Sequence, residues 1–151
     1  MPEKTDAIQN TSDLEVVAFY VGDMLCAMES GEIREIINQE AITFVYHAPS
    51  FIKGVVNLRG QIVTIVDLKE QLQIPESEEK RKVRILITEY KGESIGLLVD
   101  SVEDILMADS DNLSNPPSHL GDLTGIYIRK ILQTENNLIA ILNIEKILET
   151  R

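Results

Sequence analysis

The chain has 151 residues, with 14 basic and 25 acidic side chains and a net charge of −11 at neutral pH. That length suits one domain, or two small subdomains around a shared core, and the acidic balance argues against nucleic acid or anionic membrane, which need clustered Lys and Arg. One cysteine, Cys26, set in an apolar run, rules out an internal disulfide framework and a cysteine-cluster metal site.

Residues 1–13 are polar, without apolar periodicity, and are expected to form a flexible tail ahead of a single domain over 14–151. They show no secretory or twin-arginine pattern, and no long apolar run follows, so the expectation is a soluble cytoplasmic protein without direct membrane insertion.

From Leu14 the chain reads as short apolar strands divided by turn residues. Segments 14–21 and Met24–Glu29 predict a hairpin across Gly22-Asp23, with the turn type open because the usual order is Asp-Gly. In 32–37, Ile33, Ile36 and Ile37 stand at helical spacing behind Glu32, which predicts a helix of one to two turns. A strand is expected over 41–46. Segments 55–58 and 62–67 flank Arg59-Gly60-Gln61, where Gly60 can supply a positive φ for a tight reversal.

Leu68–Leu72 is expected to be a short helix, capped by Asp67 and followed by Pro75. Arg84–Tyr90 and 94–99 predict a hairpin around Lys91-Gly92, and 102–107 a further strand. The polar stretch 109–122, with Pro116-Pro117, reads as a long surface loop. A last hairpin is expected from 126–132 and Leu138–Leu142, then a helix over 144–148 capped by Asn143. Nine or ten strands and three short helices result, at a spacing typical of barrels, without the long crossover helix of a parallel α/β sheet. No sequence repeat of fixed period is visible.

Catalytic patterns are missing. Cys26 has no basic neighbour, and His47 and His119 flank loop prolines rather than standing at metal-ligand spacing. No phosphate-cradling glycine loop occurs, so no cofactor and no metal are expected. Asp67 and Asp100 end apolar strands. An enzyme would need both in one cleft, whereas the structural reading has each capping a turn. Arg59 is the lone charge in 55–66, and two readings are open for it. A guanidinium on a rigid hairpin suits a carboxylate on a partner, yet a turn arginine can equally pair within its own chain.

Residues 51–68, FIKGVVNLRGQIVTIVDL, closely resemble the signature of the CheW family of bacterial chemotaxis coupling proteins. The block 96–106 is similar to that family's second apolar block, and 123–148 to its closing hairpin and helix, so the resemblance covers about 14–148. It implies a mainly β fold of two interlocked five-stranded SH3-like barrels with short helices. It also implies a non-catalytic scaffold, monomeric when free, that joins the cytoplasmic tip of a chemoreceptor, a helical hairpin, to the regulatory domain of the histidine kinase CheA. Such a protein is recruited to membrane-associated receptor arrays.

Carried over by position, the resemblance assigns receptor binding to Ile33, Glu35 and Ile36 on the first short helix, with Gly54, Arg59, Val99 and Val102. Kinase contact maps onto the loop 113–120, with Leu113, Ser114, Ser118 and His119, where Ser114, Ser118 and His119 are not family-typical. The alternatives are a coupling paralogue for a related motility or kinase pathway, and a carboxylate-dependent enzyme built on Asp67 or Asp100.

Overall fold

Short β-branched runs between turn residues fold into eleven strands and three short helices among the described residues of a computed structural model, which are 13–39, 42–117 and 122–149. In chain order these are β1 (Asp13–Val21), β2 (Met24–Glu29), β3 (Glu35–Asn38), β4 (Ile52–Leu58), β5 (Gln61–Asp67) and α1 (Leu68–Leu72). Then come β6 (Arg84–Tyr90), β7 (Glu93–Val99), β8 (Ser101–Asp109), β9 (Leu113–Ser114), α2 (Asp122–Tyr127), β10 (Ile128–Gln133), β11 (Leu138–Leu142) and α3 (Ile144–Glu149). Of the expected N-terminal tail, only Asp13 is described, and it opens β1.

The strands form two sheets, ordered β8-β1-β2-β11-β10-β9 and β3-β6-β7-β5-β4. Pairing is antiparallel apart from β2 with β11 and β5 with β7. Each sheet curls around its own apolar cluster. The first encloses Val16, Ala27, Ala108, Leu132, Ile139 and Ile141, and the second Val56, Val63, Ile65, Ile85, Ile87 and Leu98. A larger cluster joins them, drawing Phe19, Met28 and Leu142 from the first sheet and Val66, Leu86 and Leu97 from the second. This is the double-barrel architecture expected, with the two-residue β9 as a sixth strand in the first unit.

The second unit is inserted in the first: β3–β7 run consecutively and make up the whole second sheet, while β1, β2 and β8–β11 on either side of them make up the first. β3 follows β2 in the chain but lies beside β6, while β8 follows β7 and lies beside β1. The hairpins β1–β2 and β6–β7 are thus flanked in the same way, by β8 and β11 or by β3 and β5. The strands β5 and β11 each lead into a capped helix. Asp67 accepts from Lys69 N at 3.0 Å, and Asn143 accepts from Lys146 N at 3.1 Å, as expected of both caps. A repeat therefore exists in the pairing although none is visible as a sequence period.

The connection after α1 is laid over the β1–β2 turn. Ser77 Oγ donates to Asp23 at 2.5 Å, and the Arg81 guanidinium sits 3.8 Å above the Tyr20 ring. Under it, Lys69 pairs with Asp100 at 3.2 Å, and Asp100 also accepts from Gly22 N at 3.1 Å. These contacts tie the β1–β2 turn, α1 and the β7–β8 crossover together.

Several expectations need correction. The helix over 32–37 is absent: Ser30–Glu32 makes one 3-10 turn, and Glu35–Asn38 is the edge strand β3, paired with β6. Isoleucine spacing fits a helix, but the branched side chains pack equally well on a sheet edge, and pairing with β6 decides. Ile37 packs on the second unit's core, while Ile36 is 42% exposed. The strand expected over 41–46 shrinks to one bridge, Thr43 to Val55, with Ala41 outside the described residues. Residues 126 and 127 end the helix α2, so the strand after them starts at Ile128. The loop expected over 109–122 contains a 3-10 turn, Ser110–Asn112, and the short β9.

Candidate docking site

The site is built on the β4–β5 hairpin. Its loop is the two residues Arg59 and Gly60, with φ of 52° and 84°. Positive φ at both central residues is the type I′ pattern, whose twist matches the flanking strands, and Gly60 adopts it without steric cost. The turn reaches β3, and there the Arg59 guanidinium embraces the Glu35 carboxylate with two bonds, from Nη1 to Oε2 at 3.3 Å and from Nη2 to Oε1. Strands β3 and β4 are the two edges of the second sheet, so this pair bridges the rim of that barrel where backbone pairing ends.

Of the two readings open for Arg59, the in-chain pair is thus formed. The arginine side chain is nevertheless 69% exposed and that of Glu35 35%. A guanidinium has five N–H donors, so the pair leaves donors on Arg59 for a second acceptor. The bond from Arg59 holds the Glu35 carboxyl below its usual pKa, and Glu35 raises that of Arg59 in return. Around the pair, Arg34, Leu58, Gln61, Ile87 and Ser94 complete a cleft of about 330 Å³.

The other assigned residues are placed differently. Ile33, Val99 and Val102 all pack against the joint core; Val99 is buried, so it acts from within rather than at a surface. Gly54 lies on β4 at a bulge, buried, with φ of 150°. A β-carbon there would sit 2.3 Å from Thr43 O and 2.6 Å from Ile42 Cγ2, so glycine permits the 42–43 segment to lie across β4. That segment continues into Phe44 and Tyr46, both largely exposed.

Leu113 and Ser114 belong to the first unit. Leu113 packs on its core, and Ser114 lines an apolar pocket of about 570 Å³ with Met24, Leu25, Pro117 and Leu138. Ser118 and His119 lie outside the described residues.

Asp67 and Asp100 are not set apart on opposite sides: both act on Lys69. Each is engaged in a structural bond, Asp67 as the α1 cap and Asp100 with Lys69 and Gly22. Among the described residues no group of three His, Cys, Asp or Glu could hold a metal, and no helix is long and apolar enough to cross a membrane. Sequence reasoning did not single out the Asn57 side chain. Asn57 stands three residues before Gly60, and its side chain accepts from Gly60 N at 2.9 Å. The signal was an Asn ahead of a turn glycine, where side chains commonly bond the backbone.

Two barrels, one inserted in the other and sharing one core, with an ion pair across one rim and an apolar pocket on the other unit, define a mainly β double-barrel protein. Residues 15–151 match the family model of the CheW-like domain, and the chain belongs to the CheW family of chemotaxis scaffold proteins. It is 30% identical over 136 residues to a probable chemotaxis protein CheW of Rhizobium etli, covering 90% of this chain and 88% of that one. It is 26% identical to the protein FrzA of Myxococcus xanthus, over 99% of this chain and 94% of that one. The crystal structure of the scaffolding protein TtCheW from Thermoanaerobacter tengcongensis superposes with a TM-score of 0.81 at 27% identity, over 90% and 92% of the two chains.

Proposed function

We propose that this chain is a non-enzymatic adaptor that couples the cytoplasmic tips of chemoreceptors to the histidine kinase CheA. The observation that carries the receptor half is the exposed Arg59, held by Glu35 on a rigid turn with donors to spare. A carboxylate on a receptor helix would add to an arginine already ordered, which lowers the entropy lost on binding. Ile36, exposed on the neighbouring edge strand, supplies an apolar contact, while Ile33, Val99 and Val102 shape the surface from the joint core. Gly54 sets the segment beside it.

The kinase half is assigned to the first unit. Ser114 borders the apolar pocket there, Leu113 beside it packs on the core of the unit, and Ser118 and His119 follow in the chain. Two faces on two units allow both partners to be held at once. The protein then works free as a cytoplasmic monomer and is recruited to receptor arrays at the membrane. A coupling role in a related motility pathway is the second reading, favoured by the nearly full-length similarity to FrzA; genomic neighbours separate the two.

The test is calorimetric binding of a receptor-tip fragment and of the kinase regulatory domain. Arg59→Ala and Arg59→Glu are expected to stay folded, keep the kinase domain, and lose about 2–5 kcal/mol of receptor affinity if the contact is a buried charge pair. Parent-like receptor binding by both variants would remove Arg59 from the docking face.

A further inference from the structure

We infer that Asn57 is a positioning residue for Arg59, holding the turn so that the guanidinium faces the edge strand and the docking face. The consequence for binding rests on the receptor reading above; the geometry does not. Arg59 sits in the left-handed region, where a residue with a β-carbon stays only when its surroundings hold it. Asn57 Oδ1 accepts from the backbone N–H of Gly60 at 2.9 Å. The bond links the residue two before Arg59 to the residue after it, so Arg59 is bracketed and the direction of its Cα–Cβ bond is fixed. From there the side chain reaches Glu35 with both terminal nitrogens.

A second turn in the same barrel separates positioning from folding. Lys91 and Gly92 join β6 to β7 with φ of 53° and 81°, nearly the angles of Arg59 and Gly60. The residue there that corresponds to Asn57 is Glu89, whose carboxylate pairs with Arg34. The same backbone turn therefore forms with that side chain committed elsewhere. Asn57 itself is exposed and opposite Ile62, so its side chain fills no core. What its bond adds is fixity at the one turn that carries Arg59.

The experiment compares Asn57→Ala, Asn57→Asp, Arg59→Ala and the double variant Asn57→Ala/Arg59→Ala in the full chain. Three quantities are read: melting temperature, affinity for a receptor-tip helical hairpin fragment, and the titration of the Glu35 carboxyl by NMR. Asn57→Ala is expected to melt like the parent and to bind about 3- to 10-fold more weakly, as the loss of one modest ordering bond gives. It should move the Glu35 titration part of the way towards that of Arg59→Ala. Asn57→Asp, which keeps the acceptor, should restore the parent behaviour, and Asn57→Ala should have no effect on binding once Arg59 is gone.

The inference is overturned if Asn57→Ala leaves the Glu35 titration at the parent position while Arg59→Ala moves it. If Arg59→Ala moves that titration but not the receptor affinity, the docking reading fails and the positioning of Arg59 by Asn57 stands on the titration alone.

Discussion

Replacing Gly54 with alanine tests how the docking unit is held together. A β-carbon at that position would lie 2.3 Å from a backbone oxygen, Thr43 O, and 2.6 Å from Ile42 Cγ2. Backbone cannot swing aside like a side-chain tip, so the 42–43 segment must lift off β4. Lifting it breaks the two bonds of the bridge, Thr43 N to Val55 O and Val55 N to Thr43 O, both 2.9 Å. Two such bonds are worth about 1–3 kcal/mol net. The φ of 150° is a glycine conformation, and an L residue there adds about 1–2 kcal/mol. Together the loss is about 2–5 kcal/mol, a large share of the roughly 5–15 kcal/mol usual for a domain. Urea unfolding gives the total, and amide exchange gives its location, with Thr43 and Val55 expected to lose protection ahead of the remainder of β4 and β5. A loss under about 1 kcal/mol with both amides still protected would refute the reasoning.

Two further perturbations act on other parts of the molecule. Lys69→Met leaves Asp100, its side chain only 13% exposed, with Gly22 N–H as its remaining bond; a fully buried pair costs 3–5 kcal/mol to break, and partial water access brings this to about 2–3 kcal/mol. Partial burial works against the charge on Lys69, but Asp100 first, then Asp67 and Glu76, outweigh it and raise its pKa. The pair's contribution is therefore whole below the ordinary lysine pKa and fades as pH climbs through the raised one, so the urea-measured gap from the parent should be flat from pH 6 to 9 and close above about pH 10.4; a gap that closes towards acid instead contradicts the assignment. Glu32 has its pKa raised by lost hydration and by Glu29 and Glu145, against Arg129. A carboxyl that holds its proton more tightly when folded costs stability as pH rises through that range, so Glu32→Gln should melt higher than the parent at pH 7 and lose the advantage as pH falls through the carboxylate range. A lower melting temperature at pH 7 would show that the charge stabilises instead.

Local chemistry was the legible part of this fold. Arg59-Gly60 announces a tight hairpin, and Asp67 and Asn143 stand where caps belong, because each depends on a few neighbouring residues. The type of the first turn followed from one angle, Gly22 with φ of 59° at the leading position, which suits a II′ turn. Non-local pairing was not legible. Ile33, Ile36 and Ile37 fit a helix and an edge strand alike, and β6, about fifty residues onward, makes the choice. The partner of Arg59 lies 24 positions away on the opposite edge of the sheet, so hairpin spacing alone left its role open. Family resemblance put Arg59 and Glu35 in one site without showing that they pair. The topological repeat stayed hidden because like pairing fixes which strands meet, not which residues they carry.

The insertion of one unit in the other decides how the molecule can be divided. The second sheet is the unbroken run β3–β7, whereas the first needs β1 and β2 from before it and β8–β11 from after it. One excised stretch, 35–99, therefore carries every strand of the docking unit, while the first unit is whole only if its two parts are rejoined. Excision would strip Val66, Leu86 and Leu97 of the neighbours they have in Phe19, Met28 and Leu142. Engineers wishing to graft the β4–β5 turn elsewhere could move 35–99 as one piece, but would have to redesign the apolar face that the first unit covers.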